Sequence, residues 1–135
     1  MSTVMRHKLR EREESGNRIK VGIIGAGFFG CQAIGQVSRI PGITTSIIAD
    51  IHKEKATRGF IRFAGRKPRE IVEVNDAGTV DRYIEKNTPV ITTDSQVLIE
   101  SDVDVILAGE LAPAIGPELM LIGIPFLAPP TISCV

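Results

Sequence analysis

Short apolar runs alternate with polar stretches marked by glycine and proline along this chain, and that alternation predicts strands and helices in turn. Ile19–Ile24 (IKVGII) passes directly into glycines, as a strand buried on both faces of a parallel sheet does. Phe28–Ile40 reads as a helix: Cys31, Ile34 and Val37 follow three-residue steps on one face, and Pro41-Gly42 stops it. The β-branched run Ile43–Ala49 (ITTSIIA) is the second strand, with Asp50 at its carboxyl end. Lys53–Ala64 is helical and basic, closed by Gly65 and Pro68, and Glu70–Val74 fits a short strand or an extended loop. Thr79–Lys86 predicts a short helix and Pro89–Thr92 a strand. Thr93, Asp94 or Ser95 then caps a helix running to Glu100. Val103–Leu107 (VDVIL) is a third clear apolar strand. Strands alternating with helices mean an α/β domain with a mostly parallel sheet.

Residues 1–18 form a basic arm ahead of the first strand, and residues 19–107 hold the whole alternating pattern. In the arm, Met5, Leu9 and Arg12 share one face of a helix that Ser15-Gly16-Asn17 ends, and the expectation is an arm packed loosely on the domain. Residues 108–135 break the pattern. They contain Pro113, Pro117, Pro125, Pro129 and Pro130 with Gly109, Gly116 and Gly123 between them, and no Lys or Arg. A long crossover helix cannot form through those prolines. The expectation is an apolar tail that is not a native continuation of the domain, left by a frameshift or an early stop.

The chain has 135 residues, 43% of them hydrophobic and 24% charged, enough for one modest core. Its formal net charge is zero, but all 16 Lys and Arg lie in residues 1–86, and residues 87–135 carry only acids. Neither nucleic acid nor a membrane surface is expected as a partner. The arm has no apolar signal-peptide core, and the most apolar stretch, Ile115–Ile132, is broken by proline and Glu118. Cys31 and Cys134 match no metal spacing and build no disulfide framework, so a reducing cytoplasm is the expected setting. Cys31 is expected as a buried thiol between helix and sheet, His7 and His52 stand isolated, and no metal site is expected. Asp102 and Asp104 flank Val103 on the last strand and are expected to be a solvated strand start.

Chemistry concentrates in Gly25-Ala26-Gly27-Phe28-Phe29-Gly30. A GxGxxG motif alone is weak, but here a strand precedes it, a helix follows it and an acid ends the next strand, which makes a Rossmann-type dinucleotide site. Gly25 permits the tight turn, Gly27 lets a pyrophosphate approach the backbone, and Gly30 lets the helix pack closely on the strand. The phosphates then sit at a helix N-terminus. Asp50 accepts from the adenosine ribose hydroxyls and repels a 2′-phosphate, favouring NAD, with Ile51 and His52 beside it. His52, Lys53, Lys55 and Arg58 follow at once; either they line a solvated helix face or one of them pairs with the 2′-phosphate of NADP. A glycine turn without a ligand, and a flavin or S-adenosylmethionine site, remain as other readings of the loop.

With those residues in view, the sequence resembles the N-terminal NAD(P)-binding domain of homoserine-dehydrogenase-like oxidoreductases of the SAF-domain-containing branch, which includes 1-deoxy-D-xylulose 5-phosphate reductoisomerase-like proteins. The resemblance rests on Leu9-Arg10-Glu11-Arg12-Glu13, on Val21–Gly30, on Pro41-Gly42-Ile43, and on Ala49-Asp50-Ile51-His52. It continues in Ile91-Thr92-Thr93-Asp94 and Val103-Asp104-Val105-Ile106, so it covers residues 5–107. It implies an incomplete Rossmann-type fold, NAD or NADP as cofactor, a small-molecule substrate in the intact parent, and a cytoplasmic location; a homo-oligomer is left open. The family's Glu-x-Thr-Gly segment after this strand is replaced by Leu107-Ala108-Gly109-Glu110-Leu111. No catalytic residue of the family transfers to this chain, which is expected to supply cofactor binding alone. A non-catalytic nucleotide-binding or regulatory module, and a non-functional fragment, are the alternatives.

Overall fold

The computed structural model describes residues 3–108. Five strands, β1 (Ile19–Ile24), β2 (Ile43–Ala49), β3 (Val72–Glu73), β4 (Val90–Thr92) and β5 (Val105–Ala108), form one sheet in the order β3-β4-β2-β1-β5. Every pairing is parallel. The sheet is wholly parallel, as the unbroken apolar runs of β1 and β2 anticipate, since strands covered on both faces carry no polar alternation.

The order explains where the helices lie. Chain direction across the sheet runs one way from β1 to β2 to β3 and reverses from β3 to β4 to β5, so right-handed crossovers place the connecting helices on opposite faces. On one face Ile34 and Val37 of α2 (Phe28–Ser38), Ala56 of α3 (Lys53–Arg58) and Phe60 pack on Val21, Ile23 and Ile48. On the other, Val80 and Ile84 of α4 (Ala77–Glu85) and Val97 and Leu98 of α5 (Ser95–Ile99) pack on Ile24, Ile47, Val90 and Ile106. This is an α/β architecture of the Rossmann type.

Several boundaries differ from the sequence pattern. The basic helix after Asp50 is not uniform: α3 ends at Arg58 and Gly59–Phe63 continue it as a π-helical turn. A Cβ at Gly59 would lie 3.0 Å from Ile34 and 3.3 Å from Ile48, so the widened turn sits where glycine lets it press on the sheet, with Phe60 fully buried. The ambiguous Glu70–Val74 segment resolves into a 3₁₀ turn, Pro68–Glu70, and the short edge strand β3. The final strand starts at Val105, so Asp102 and Asp104 precede it and do not share a strand face. Asp104 instead binds the start of β1: its carboxylate accepts from the Lys20 N–H at 2.8 Å, and its own N–H donates to the Lys20 carbonyl at 2.8 Å. Ala108 belongs to β5, so the strand extends one residue beyond the expected domain boundary at 107; the remainder of the expected tail lies outside the described residues.

The arm folds as α1 (Thr3–Ser15), and it is fastened at one point. Of the expected face, Leu9 is buried at 4% exposure while Met5 is half exposed. Gly42, at φ +86°, comes so close that a Cβ there would stand 2.2 Å from the Leu9 carbonyl oxygen. Glu13 completes the attachment, accepting from the Gly42 N–H at 2.8 Å and from the Arg18 guanidinium. These two interactions, Arg18 first, hold the Glu13 carboxyl below the usual carboxylate range. No helix among the described residues is long and apolar enough to cross a membrane.

Candidate functional site

The site is built at the carboxyl ends of β1, β2 and β4, where open parallel sheets hold ligands. β1 runs into Gly25, whose φ of +88° is costly for any side-chain-bearing residue. Its N–H donates to the Ala49 carbonyl at 2.7 Å, so the turn starts from a β2 contact. Gly27 is the N-cap of α2, and no side chain caps that end. The first intrahelical bond runs from the Cys31 N–H to the Gly27 carbonyl at 2.9 Å. The N–H groups of Phe28, Phe29 and Gly30 therefore precede the hydrogen-bonded ladder and point out of the helix end, together with the positive end of its dipole. At Gly30 a Cβ would stand 1.8 Å from the Gly25 carbonyl oxygen, so only glycine lets the helix lie this close to the turn.

Asp50 joins the loop to the neighbouring strand. It is buried, at 8% exposure, and its Oδ2 accepts from the Ala26 N–H at 2.8 Å. Its Oδ1 accepts from the His52 N–H at 2.8 Å, which turns the chain into α3. An ionised carboxylate has about four acceptor sites, so about two remain for a ligand's hydroxyls. The acid and the glycine loop, 24 positions apart in sequence, are thus one hydrogen-bonded unit. The Asp50 N–H donates to the Thr92 carbonyl at 3.0 Å, which fixes the end of β4 beside it.

A small cleft of about 120 Å³ lies between these strand ends, walled by Ile24, Gly25, Ala49, Asp50, Ile51 and Thr93. That is below the about 300–1,000 Å³ of an enclosed ligand pocket, so the cleft alone encloses no drug-sized ligand. Ile51, 79% exposed, and Phe28, 69% exposed, present apolar surface at this end of the sheet. Thr93, in the cleft wall, is held by Asn75, which the sequence did not single out. Its Oδ1 accepts from the buried Thr92 hydroxyl at 2.7 Å and from the Thr93 N–H at 3.1 Å. Asp94, one of the three expected caps, accepts from the Gln96 N–H at 2.9 Å and starts α5.

No protein-family model matches this chain, and no curated protein matches it.

The expected site residues therefore stand on their geometry. Gly25, Ala26, Gly27, Phe28, Phe29 and Gly30 form the turn and helix start, and Asp50, Ile51 and His52 stand at the next strand end. His52 contributes its backbone N–H to Asp50. The bases after Asp50 divide: Lys53 pairs with Glu73 at 3.8 Å, and Lys53 and Arg58 line a groove beside Arg62, Glu73 and Ile91. Cys31 is half-buried instead of buried, and its thiol donates to the Ala26 carbonyl at 3.2 Å. Among the described residues, no three or more His, Cys, Asp or Glu are grouped to hold a metal ion.

Proposed function

We propose that this chain binds a nicotinamide dinucleotide, with the pyrophosphate at the N-terminus of α2 and the adenosine ribose at Asp50. It would serve as the cofactor-binding part of an oxidoreductase acting on a small polar metabolite, similar to the homoserine-dehydrogenase-like, SAF-domain-containing proteins. The observation that carries this reading is the bond from the Ala26 N–H to Asp50 Oδ2, which ties the glycine loop to the carboxylate at the end of β2. The residues present suit the group: an uncapped helix end for two phosphates, a carboxylate with free acceptor sites, and an apolar wall in Ile24, Ala49 and Ile51. When bound, the nicotinamide supplies the hydride chemistry. The chain's own residues bind and orient it.

A second support concerns the choice between NAD and NADP. The Asp50 carboxylate repels a 2′-phosphate, and Lys53, one of the bases that could offset it, is drawn to Glu73. NAD is therefore the preferred form. Calorimetric titration of the chain with NAD, NADP, FAD and S-adenosylmethionine tests the reading. NAD should bind most tightly, Gly27→Val should abolish binding by filling the pyrophosphate's approach, and Asp50→Ala should weaken NAD more than NADP. Equal affinity of Gly27→Val and the unaltered chain sinks the site. Tighter binding of NADP reverses the cofactor preference, and tighter binding of FAD or S-adenosylmethionine replaces the ligand class.

A further inference from the structure

The opposite end of the sheet holds a roomier cavity, about 400 Å³, at the start of β2. It is a half-open recess bordered by the end of α1, the end of α2, the first residues of β2 and the segment after the π-helical turn. Arg18, Arg39 and Arg66 line it against a single acid, Glu13. Both oxygens of Glu13 are already engaged, by Arg18 and by the Gly42 N–H, so that pair is internally satisfied. Arg66 donates to the Asn87 carbonyl and has Glu70 at 3.6 Å, which leaves part of its guanidinium uncommitted. Arg39 makes no salt bridge among the described residues.

One polar atom beside this recess, in its Thr45 wall, lacks a partner. The Thr45 hydroxyl is buried without a hydrogen bond among the described residues, although Thr45 lines the cavity wall. Buried hydroxyls are nearly always satisfied, and an orphan marks a place where a ligand or water completes the set. Excess guanidinium charge in a concave site raises the local concentration of anions. Guanidinium forks and a hydroxyl match the oxygens of a phosphoryl group.

From this juxtaposition we propose that the cavity between Arg39, Arg66 and Thr45 is a second ligand site, for a small phosphorylated molecule, separate from the glycine loop. The carboxyl end of α2 lies at its rim and carries partial negative charge. The competing explanation is therefore that Arg39 merely caps that helix end, and the test must separate the two.

The test is a ¹⁵N–¹H correlation titration of the full chain with inorganic phosphate, run in parallel on Gly27→Val so that the glycine loop is silent. The amides of Ser38, Arg39, Thr45 and Arg66 should move along one saturable curve in both proteins. Arg39→Ala should weaken binding about tenfold, the loss expected for one charge-assisted hydrogen bond. Thr45→Val, which keeps the shape and removes the hydroxyl, should weaken it several-fold without loss of spectral dispersion. Shifts that follow ionic strength alone, matched by sodium acetate, overturn the proposal. So does an unchanged phosphate curve in Thr45→Val, or an Arg39→Ala variant that loses thermal stability and retains full phosphate affinity. Loss of the response at Phe28–Gly30 in Gly27→Val with the cavity response intact shows that the two sites stand or fall separately.

Discussion

Replacing Asp50 should destabilise the chain in the absence of any ligand. The side chain accepts from the Ala26 N–H and the His52 N–H, both at 2.8 Å. Ala26 is 4% exposed, so its N–H finds no water when the carboxylate is removed; His52 is exposed and its N–H is readily solvated. An unsatisfied buried donor costs about 1–3 kcal/mol, and a hydrogen bond to a charged acceptor adds about 1.5–3 kcal/mol before solvation of the freed partner is counted. Asp50→Ala is therefore expected to lose about 2–3 kcal/mol. At about 4–8 °C per kcal/mol for a domain of this size, Tm falls by about 10–20 °C. Asp50→Asn keeps one acceptor for Ala26 and turns its amide toward the His52 N–H, so its loss should be about half as large. Thermal denaturation followed by far-UV circular dichroism, without cofactor, reads both. An unchanged Tm in Asp50→Ala refutes the clamp and leaves the carboxylate with a ligand role only. A lower Tm for Asn than for Ala refutes the assignment of acceptors.

Gly30→Ala should cost about 1–3 kcal/mol or more, because a Cβ placed 1.8 Å from the Gly25 oxygen forces the loop and α2 apart; urea denaturation checks it, and a neutral result contradicts the close approach. Attachment of α1 should depend on pH. The Glu13 carboxyl is held below its ordinary value, so its contribution is complete above the ordinary carboxylate range and fades as pH falls through the lowered value. Amide-exchange protection factors, corrected for the intrinsic pH dependence of exchange, should fall in Thr3–Ser15 on acidification ahead of those in β1, and Glu13→Gln should remove that step; unaltered acid behaviour in the variant assigns it elsewhere. Asp76, lowered chiefly by the Thr79 hydroxyl, adds a similar loss at the start of α4, and Asp76→Asn should flatten it there. Asn75→Ala should weaken the cleft wall, since it removes an acceptor shared by Thr92 and Thr93, and should lower NAD affinity with little change in Tm if the cleft takes the cofactor; calorimetric titration beside thermal denaturation reads both.

The features legible in the sequence are those written in consecutive residues. β1 and β2 were readable because their apolar runs are continuous and end in a glycine turn and an acid. The motif spacing likewise placed Asp50 at a strand end. What escaped depends on contacts between distant segments. That Asp50 faces the Ala26 N–H requires β1 and β2 to pair with the register that sets Ile24 against Ala49, which no local pattern encodes. The same holds for the bond from the Lys20 N–H to Asp104, which is exposed ahead of β5 as expected, and for Asn75, an ordinary turn residue until β3 and β4 pair. The π-helical turn escaped because its cause, room for Gly59 against Ile34 and Ile48, is a packing fact.

Those non-local bonds bear directly on binding. Gly25 to Ala49, Ala26 to Asp50 and Asp50 to Thr92 run in sequence across the carboxyl ends of β1, β2 and β4. Each spans two strands, so the loop that would meet the phosphates cannot move without disturbing the strand ends beside it. A ligand arriving there orders little backbone, and the cost that association usually charges to loop immobilisation is correspondingly reduced. The helix end supplies the complementary half: with no side chain capping α2, its first N–H groups have no internal competitor for an anion. A turn tied to its neighbouring strands and an uncapped helix end are what the proposed phosphate site would draw on, and residues 24–30 with Asp50 supply those two features.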